Sequence, residues 1–323
     1  MNQASLAKDI LCIAVDWGTT NLRAFLIDQT GQVLDQRQSN RGMLTLEATE
    51  FEEALRRFLS GWLATGVPIY MSGMVGSRGG WQEVPYQHCP MPLAALTEHL
   101  YWLPTSLPCP VAIVPGLQGV GVSGHQEVMR GEETQLLGAL DWLQSHGRGD
   151  EPPLCCLPGT HCKWVHIEQG EVRHFSTTLS GELFARLNDE SSLVKGLPIS
   201  HTLQTAAFTK GLVASQQAGG LLHQLFSVRS QFVCGALAAA EVRDYLSGIV
   251  IGHDVKDMLA ALAPTQTSVL LIGNQKLTQR YALALSSHGL KSEFLDASEA
   301  SIRGLTRLAI SQAHRLAVNG GSH

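Results

Sequence analysis

Two segments of the chain place a glycine and a threonine together in a polar turn that follows an apolar run. The turn 18–21 (Gly-Thr-Thr-Asn) follows the run 10–15, and the turn 159–161 (Gly-Thr-His) follows the run 154–157. Glycine lets a backbone approach an anion closely, and successive amides with a threonine hydroxyl can bind phosphate oxygens. Two such turns facing each other would hold a polyphosphate from both sides.

Charged residues beside these turns extend the same chemistry. Asp16 ends the first apolar run and can hold Mg²⁺, with water completing the coordination. Lys163, four residues beyond Gly159, can place a positive charge on a phosphate, or it is a solvated strand residue. A metal ion and a nucleotide polyphosphate are therefore the ligands that these residue types favour.

A pair of acids, Glu132 and Glu133, begins a helical stretch between the two turns. Phosphoryl transfer needs a base or an orienting carboxylate near the acceptor hydroxyl, and this pair is the best candidate. The alternative is that both acids only match the positive end of the helix dipole. Their position between the two halves of the chain, where an interdomain cleft would lie, favours the catalytic interpretation.

A further turn, 72–78, follows another predicted strand and is a candidate for binding the acceptor, because ligands of α/β sheets sit at strand ends. Arg78 in this turn can bind a carboxylate through two hydrogen bonds, or it is a surface loop residue. Arg130 is the alternative carboxylate anchor. Trp81 forms an apolar wall of the site or packs locally.

The glycine-rich segment 116–124 is interpreted as a flexible loop. It lacks the Lys-Ser/Thr pair of a P-loop and the full dinucleotide-binding fingerprint. We therefore assign it no part in phosphate binding.

The residues around the first turn predict a β-β-β-α-β unit. Apolar strands at 10–15 and 22–27 and a third from Val33 toward Ser39 are joined by tight turns. A helix follows, with Thr49 and Glu52 as its capping box. Its apolar face contains Phe51, Leu55, Phe58 and Trp62. A strand at 67–71 completes the unit.

The same order returns in the second half of the chain. Strands are predicted at 154–157, 163–167 and 172–178, a long helical region follows, and a strand at 268–272 ends in Gly273-Asn274. The repetition outweighs any single motif, because one strand–Gly-Thr–strand hairpin alone is common. We predict an α/β protein with two copies of one βββαβ core facing each other across a cleft.

Composition argues against several other classes of function. The chain has 323 residues, which is enough for about two domains. It has 23 Lys+Arg against 28 Asp+Glu and no basic block, and this charge balance argues against nucleic-acid binding. The longest apolar runs are far shorter than the ~20 residues that span a bilayer, and residues 1–10 show no signal-peptide pattern. The seven cysteines have no framework spacing, so we expect reduced core thiols in a cytoplasmic protein.

Four segments resemble the sugar kinase/actin/Hsp70 superfamily and, within it, the 2-dehydro-3-deoxygalactonokinase (2-keto-3-deoxygalactonate kinase) family. They are 14–24 (AVDWGTTNLRA), 72–77 (SGMVGS), 129–136 (MRGEETQL) and 158–164 (PGTHCKW), with 180–183 (SGEL) as a further match. The sequences PGTHCKW and RGEETQ are specific to this family, whereas DWGTT is shared more widely. The resemblance runs over most of the chain.

This resemblance implies a two-domain actin-like ATPase fold of the ribonuclease H-like type, with residues 1–132 and 133–323 as the domains. It implies phosphorylation of 2-dehydro-3-deoxy-D-galactonate at its carbon-six hydroxyl, with ATP and Mg²⁺, in galactonate catabolism by the De Ley–Doudoroff pathway. The alternatives are a kinase for the gluconate epimer or another sugar acid, and a non-catalytic actin-like nucleotide switch. A homodimer is left open.

The matching motifs and the residues around them define a set of candidate site residues. Asp16 is the Mg²⁺-side acid, and Glu132 stands where related carbohydrate kinases have the general-base Asp, with Glu133 as the alternative. The nucleotide-binding candidates are Gly18, Thr19, Thr20, Asn21, Gly159, Thr160, His161, Lys163, Gly273 and Asn274, the last two at the adenosine pocket. The acceptor-binding candidates are Ser72, Gly73, Met74, Arg78, Trp81 and Arg130. Pro158 replaces an acid that many superfamily members carry, which leaves Mg²⁺ to Asp16 and the nucleotide.

Overall fold

The computed structural model describes residues 9–149, 153–199 and 202–320. These described residues form fifteen strands. In chain order the strands are β1 (Ile10–Trp17), β2 (Leu22–Asp28), β3 (Val33–Ser39), β4 (Ile69–Ser72), β5 (Gln87–His88), β6 (Met91–Pro92), β7 (Tyr101–Leu103), β8 (Val111–Ile113), β9 (Leu117–Val120), β10 (Gln126–Met129), β11 (Leu154–Leu157), β12 (Cys162–Glu168), β13 (Glu171–Thr178), β14 (Ser268–Gly273) and β15 (Lys291–Asp296).

Eight α-helices lie in the same parts of the chain. They are α1 (Phe51–Phe58), α2 (Glu132–Ser145), α3 (Ser180–Glu190), α4 (Thr205–Ser215), α5 (Gly220–Val233), α6 (Val242–Leu262), α7 (Gln275–Ser287) and α8 (Ala297–Gly320). Among the described helices, none combines the length and the apolar character that crossing a membrane requires.

Two six-stranded sheets repeat one topology. The first has the order β3-β2-β1-β4-β8-β7, and the second has the order β15-β14-β11-β12-β13-β6. In each sheet three consecutive strands form an antiparallel meander, and a later strand returns parallel to the first of them, β4 beside β1 and β14 beside β11. The predicted duplicated βββαβ core is therefore present. A smaller sheet has the order β10-β9-β5.

The first strand of each repeat is apolar on both faces because each sheet is covered on both sides. On β1, Ala14 belongs to one buried core while Ile13 belongs to another. On β11, the neighbours Cys155 and Cys156 are divided between two cores in the same way. Burial on both faces explains why these strands are continuous apolar runs rather than alternating patterns.

The two halves of the chain exchange elements. β6 pairs with β13, which adds a strand of the first half to the second sheet. The C-terminal helix α8 packs on α2 so closely that a Cβ on Gly138 would lie 1.9 Å from the Ala300 carbonyl oxygen. One core accordingly joins Leu11 of β1, Leu136 of α2 and Leu305 of α8. A domain boundary between residues 132 and 133 stays a prediction.

The predicted capping box at Thr49 is wrong. Glu50 is the N-cap residue of α1, and it makes no side-chain hydrogen bond to the helix. The carboxylate of Glu52 instead accepts hydrogen bonds from the amide and the hydroxyl of Ser106. The helix also ends before Trp62, which lies in the turn that follows it. Ser106, which is distant in sequence, therefore binds Glu52 in place of the predicted local capping partner.

The glycine-rich segment 116–124 is not a loop throughout, which corrects that interpretation. Its first part is β9, which pairs with β10 and β5. A Cβ on Gly119 would lie 3.1 Å from the Phe175 ring of β13. Gly119 therefore allows two sheets to pack closely and does not indicate a flexible loop.

All seven cysteines lie in the described residues, and all are free thiols. The sulfur atoms of Cys156 and Cys162 lie 3.6 Å apart in the core beside the second phosphate-binding turn. Burial raises the pKa of the Cys155 thiol to about 12. Buried thiols of this kind are unreactive core side chains. The expectation of core thiols is wrong for Cys234, which is exposed, and Cys89 is only partly buried.

Candidate active site

The first phosphate-binding turn joins β1 to β2 and is held by a neighbouring loop. The Gly18 amide closes the turn by donating to the carbonyl oxygen three residues later, at 2.9 Å. Amides of the loop 42–44 donate to the carbonyl oxygens of Gly18, Thr19 and Thr20 at 3.0, 3.2 and 3.1 Å. A Cβ on Gly42 would lie 2.2 Å from the Thr19 oxygen, so only glycine allows this approach. The loop thus holds the turn by its carbonyls, while both threonines stay exposed.

Asp16 stands at the end of β1, beside this turn. The two share an open cavity of about 340 Å³, lined by Asp16, Gly18, Thr19, Thr20, Asn21, Arg23 and Gln38. Arg23 lies opposite Asp16 on β2, and its guanidinium donates to the Asp16 carboxylate at 2.5 Å. Arg23 also donates to the Ser298 hydroxyl at the start of α8. The acid is therefore oriented by both a neighbouring strand and the C-terminal helix.

The carboxylate of Asp16 fits the requirements of a Mg²⁺ site. Proteins commonly bind this ion through one or two carboxylates, with substrate phosphates and water as the other ligands. Asp16 lines the cavity beside the phosphate-binding turn and keeps part of its side chain accessible. Within the described residues no group of three or more metal-ligating side chains occurs. Asp16 is the carboxylate that the protein would supply to the ion at this turn.

The second phosphate-binding turn joins β11 to β12 and is held by the N-terminus of α3. The Glu182 amide donates to the Thr160 carbonyl oxygen at 2.8 Å. A Cβ on Gly181 would lie 2.0 Å from the Gly159 carbonyl oxygen, so the helix meets the turn through a glycine. The exposed ring of His161 binds the Glu182 carboxylate through Nε2 at 2.9 Å. The N-terminus of a helix thus supports the second turn, whereas a loop supports the first.

Lys163 is buried, which corrects the alternative that it is a solvated strand residue. It is 6% exposed, and its Nζ donates to the Thr177 hydroxyl of the neighbouring strand at 3.0 Å. A buried ammonium group needs nearby negative charge or hydrogen bonds to offset its lost hydration. The hydroxyl is a neutral partner, and Glu132 exerts an electrostatic attraction on the same group. The lysine is therefore held toward the acid pair.

The acid pair begins α2 at the point where this helix meets the turn after β4. Gly131 has a φ of 105°, and a Cβ there would lie 3.3 Å from the Cα of Gly73. Gly73 in turn is packed so closely on β1 that a Cβ on it would lie 3.3 Å from Oδ1 of Asp16. Two glycines therefore bring the start of α2, with Glu132, to the same place as Asp16.

The two acids of the pair have different surroundings. Glu133 is fully buried, and its Oε2 accepts a hydrogen bond from the Gly131 amide at 2.7 Å. Burial, followed by the charge of Glu132, raises the pKa of Glu133 to about 8. Burial also raises the pKa of Glu132, but the positive charges of Lys163 and His161 oppose that rise. Oε2 of Glu132 also accepts a hydrogen bond, from the Arg130 amide at 3.0 Å, and Glu132 is the acid on which the charges of the second phosphate-binding turn act.

The turn after β4 contains Ser72, Gly73 and Met74, the predicted acceptor-binding residues. Ser72 is buried and lies opposite Asp16 in the parallel register of β4 and β1. Gly73 has a φ of 94°, and a Cβ on it would lie 2.8 Å from the Trp17 carbonyl oxygen. Met74 packs against the core beneath the turn. The turn is therefore fixed against the end of β1.

Trp81 and Arg78 follow in the same loop and are placed differently. The Trp81 ring stacks on Phe51 with centroids 6.2 Å apart and meets the edge of Trp17 at 6.4 Å. This contact agrees with the alternative that Trp81 packs locally, and it links the loop to the end of β1. Arg78 extends from the loop into solvent.

Arg130 is buried against the acceptor turn with two of its nitrogen atoms unpaired. Its Nη2 donates to the Val84 carbonyl oxygen at 2.6 Å, and its guanidinium carbon lies 4.3 Å from the centre of the Tyr86 ring. In the described part of the chain, Nε and Nη1 have no hydrogen-bond partner. A Cβ on Gly76 would lie 2.8 Å from Nη1, so the guanidinium touches the turn that follows β4. A buried cation with unpaired donors is suited to an anionic ligand.

Gly273 and Asn274 follow β14 next to the second phosphate-binding turn. A Cβ on Gly273 would lie 3.3 Å from the carbonyl oxygen of Pro158, the residue before that turn. Asn274 caps α7, because its side-chain oxygen accepts from the Leu277 amide at 2.9 Å. The exposed Asn274 side chain therefore keeps its amide nitrogen for a ligand.

The structure gives a place in the site to Arg23, Gly42, Thr177 and Glu182, none of which is among the candidate site residues predicted above, although Arg23 and Glu182 lie in matching segments. Arg23 lies directly opposite Asp16 across a tight turn, so the antiparallel register is a signal that would have identified it. Thr177 lies opposite the predicted lysine in the same way. Gly42 carries no such signal, because its contact is with a turn distant in sequence.

Comparisons with known proteins show what this chain is similar to. The model of the 2-keto-3-deoxy-galactonokinase family matches residues 16–308. The chain is 37% identical over 277 residues to the 2-dehydro-3-deoxygalactonokinase of Escherichia coli strain K12, which covers 86% of this chain and 90% of that relative.

Two solved structures share the fold of this chain. A Sinorhizobium meliloti structure that carries the 2-dehydro-3-deoxygalactonokinase name is 36% identical with a TM-score of 0.82, over 92% of this chain and 97% of that one. Component A of (R)-2-hydroxyglutaryl-CoA dehydratase from Acidaminococcus fermentans is 10% identical with a TM-score of 0.51, over 94% and 98% of the two chains, and shares the fold alone. The predicted actin-like α/β fold is confirmed.

Proposed function

The chain belongs to the 2-keto-3-deoxy-galactonokinase family, and from this membership we propose how its residues carry out the family's reaction. The protein is a carbohydrate kinase, a phosphotransferase with an alcohol as acceptor, and it uses ATP to phosphorylate 2-dehydro-3-deoxy-D-galactonate in galactonate catabolism. The acceptor atom in this proposal is the oxygen of the carbon-six hydroxyl.

The observation that carries the proposal is the placement of Glu132. This acid begins α2 beside the acceptor turn and senses the positive charges of Lys163 and His161 on the opposite turn. A pKa raised by burial makes a carboxylate a better proton acceptor near neutral pH. We assign Glu132 as the base, or orienting group, for the acceptor hydroxyl. Glu133, which is buried and bound to the Gly131 amide, holds the start of the helix.

The phosphates of ATP lie between the two turns in this proposal. The γ-phosphoryl group passes in line from the β-phosphate oxygen to the acceptor oxygen, ADP leaves, and Glu132 takes the hydroxyl proton. The turns 18–21 and 159–161 bind phosphate oxygens, while Lys163 and His161 offset the charge that shifts toward the leaving group. Closure of the cleft on the acceptor would exclude water and so protect ATP from hydrolysis.

Mg²⁺ is the second cofactor of the proposal, and Asp16 is the residue that would hold it. A bound Mg²⁺ offsets negative charge on the β- and γ-phosphates. The ion pair with Arg23 fixes the orientation of the Asp16 carboxylate, and both residues line the cavity at the first turn.

The acceptor is an anion, and Arg130 is the residue we propose for its carboxylate. Support comes from its two unpaired nitrogens in a buried position against the acceptor turn. Arg78 is the alternative anchor, since its exposed side chain can turn toward a ligand. The turn residues Ser72, Gly73 and Met74 with Trp81 would contact the carbon chain, and Gly273 with Asn274 would contact adenosine.

We also propose two domains, residues 1–132 and 133–323, and a homodimer. The start of α2 at the boundary, with one six-stranded sheet mainly on either side, supports the division. Strongly exposed apolar side chains on α5, among them Leu222, Phe226 and Val233, support a second copy as partner. Light scattering of the purified chain measures the oligomeric state.

Coupled measurement of ADP release tests the function. Release should require added 2-dehydro-3-deoxygalactonate, and kcat/KM should be highest for this acid in a panel that includes the gluconate epimer. A chelator should stop the reaction, and added Mg²⁺ should restore it. ADP release at the same rate without any sugar acid would contradict the proposal and favour a nucleotide switch. A higher kcat/KM for the epimer would assign the enzyme to that substrate instead.

A further inference from the structure

We propose that Glu182 is a positioning residue for phosphoryl transfer, which acts by orienting the imidazole of His161 toward the transferred group. The proposal rests on the proposed function, because it concerns the same cleft. The segment 180–183 resembles the family in sequence, yet the steps described above give its acid no part.

Glu182 holds the second phosphate-binding turn at two points. Its amide donates to the Thr160 carbonyl oxygen at 2.8 Å, and its carboxylate binds Nε2 of His161 at 2.9 Å. One residue therefore fixes the backbone of the turn and the side chain that projects from it. The side chain of Glu182 is 38% exposed, so the contact is not a requirement of core packing.

The N-terminus of α3 is a rigid support for this contact. A Cβ on Gly181 would lie 2.0 Å from the Gly159 carbonyl oxygen, which shows how closely the helix abuts the turn. Behind it, the hydroxyls of Ser180 and Tyr281 lie 3.0 Å apart, and Tyr281 donates to Asp254 in the core. The carboxylate of Glu182 is thus anchored through α3 to α6 and α7.

The hydrogen bond to Glu182 determines which ring nitrogen a phosphate can meet. In the imidazolium form, which this proposal requires, Nε2–H donates to the Glu182 carboxylate and Nδ1–H remains as a donor for a phosphate oxygen, with no hydrogen-bond partner among the described residues. The charged groups that the ring interacts with are Glu182 on α3, through a hydrogen bond, and Glu132 at the start of α2, through charge. The electrostatic effect of His161 on Glu132 is consistent with a ring that can act on a group bound between the turn and the start of α2.

A double-mutant cycle tests the proposal. Glu182→Ala should lower kcat about tenfold while KM for the sugar acid changes less than about twofold, because a misdirected ring stabilises the transition state less. Glu182→Gln keeps an acceptor oxygen for Nε2–H and should retain most of kcat. In a His161→Ala background, Glu182→Ala should cause no further loss, since the two residues act as a unit.

Alternative roles for Glu182 predict different results. An acid in the first turn also stabilises a helix through the dipole, so a merely structural role would lower the melting temperature and leave the effects of the two substitutions additive. Full kcat in Glu182→Ala, or additivity with His161→Ala, would overturn the proposal. The ¹⁵N chemical shifts of the His161 ring in the folded Glu182→Gln protein give a second readout, which should show both ring nitrogens protonated as in wild type.

A matched control is available in the same hairpin. Glu168 ends β12 at the far end from His161 and pairs with Arg173 at 3.3 Å, so Glu168→Ala should leave kcat unchanged. Failure of the wild-type enzyme to phosphorylate any sugar acid would contradict the proposed function, whereas an active wild type with an active Glu182→Ala variant would contradict this inference alone.

Discussion

The two phosphate-binding turns occupy equivalent places in a repeated core, but different elements hold them. Amides of the loop 42–44 bind the carbonyls of the first turn, and the adjacent acid, Asp16, is paired with Arg23. The second turn abuts the N-terminus of α3, and the basic residues beside it are Lys163 and His161. The duplicated strand order fixes where each turn lies, whereas elements outside the repeat determine its charge and its rigidity.

This difference divides the electrostatic tasks between the two sides of the cleft. An acid on the first side suits a metal ion, and cations on the second side suit phosphate oxygens directly. Asp16 stands two residues before Gly18, whereas Leu157 stands two residues before Gly159, so the second side has no acid at the equivalent position. Glu132 comes from the first half of the chain, but the charges that act on it belong to Lys163 and His161 of the second half. Its role therefore depends on both sides of the cleft.

Glu132→Gln is the change with the largest expected effect on this division. The amide keeps the size of the side chain but cannot accept a proton, so kcat should fall by roughly 10²–10⁴-fold. Binding of ATP should stay within about threefold of wild type, because the phosphate-binding turns are intact. Coupled ADP release measures kcat, and calorimetric titration with a non-hydrolysable ATP analogue measures binding.

The control for that substitution is Glu98→Gln, which alters an exposed acid paired with Arg315 at 2.8 Å. Its turnover should equal that of wild type. If Glu132→Gln keeps near-normal kcat, the base is not Glu132, and Glu133 becomes the candidate to replace.

Gly181→Ala and Gly42→Ala compare the two supports directly and should have the next largest effects. Added methyl groups would lie 2.0 Å and 2.2 Å from the carbonyl oxygens of Gly159 and Thr19, so each turn must move. Displacement by about 1 Å can cost roughly 10²-fold in rate. We expect kcat/KM for ATP to fall about tenfold to a hundredfold in both variants, with a higher Mg²⁺ requirement only in Gly42→Ala. Initial rates over a range of Mg²⁺ concentrations separate the two.

Gly149→Ala is the matched control, because a Cβ there makes ordinary contacts of 3.7 Å with Gln144. Its kinetics should be those of wild type. Wild-type kcat/KM in Gly181→Ala would show that the second turn tolerates movement. The proposed comparison of the two turns as rigidly supported elements would then be wrong for the second turn.

The repeated strand order was predictable because the first strand of each repeat is an unbroken apolar run that ends in a polar turn. The same burial on both faces removes the alternation of polar and apolar residues that would show which side chains are buried. In β12, Lys163 lies between Cys162 and Trp164, and all three are buried, so no alternation marks the lysine as enclosed. Its burial depends on how the two halves face each other, which local pattern cannot show.

Tertiary contacts also decided the points on which the sequence was misleading. Glu52 has the spacing of a capping box, but Ser106 lies near enough in space to take its carboxylate. Gly119 suggests a mobile loop, but it serves a close approach to Phe175. In both cases the competing partner is more than fifty residues away along the chain. Propensity and spacing within one segment cannot anticipate such partners.

Glu133→Gln should have the smallest effect on catalysis and a measurable effect on stability. Burial raises the pKa of Glu133 from its ordinary value of 4.5 to about 8. Between these values the folded protein binds a proton that the unfolded chain releases, so the free energy of unfolding falls as the pH rises through this window. Above about pH 8 both states are deprotonated, and that stability is lost.

The neutral amide of Glu133→Gln removes this dependence while its oxygen still accepts from the Gly131 amide. Because each pH unit in the window corresponds to about 1.4 kcal/mol, the melting temperature of the variant relative to wild type should rise by about 5 °C between pH 6 and pH 8. Glu98→Gln, which alters an exposed acid, should show no such change. A constant difference between variant and wild type across this range would mean that Glu133 is already ionised in the folded protein. The distinction drawn between the two acids, one facing the cations and one enclosed, would then no longer hold.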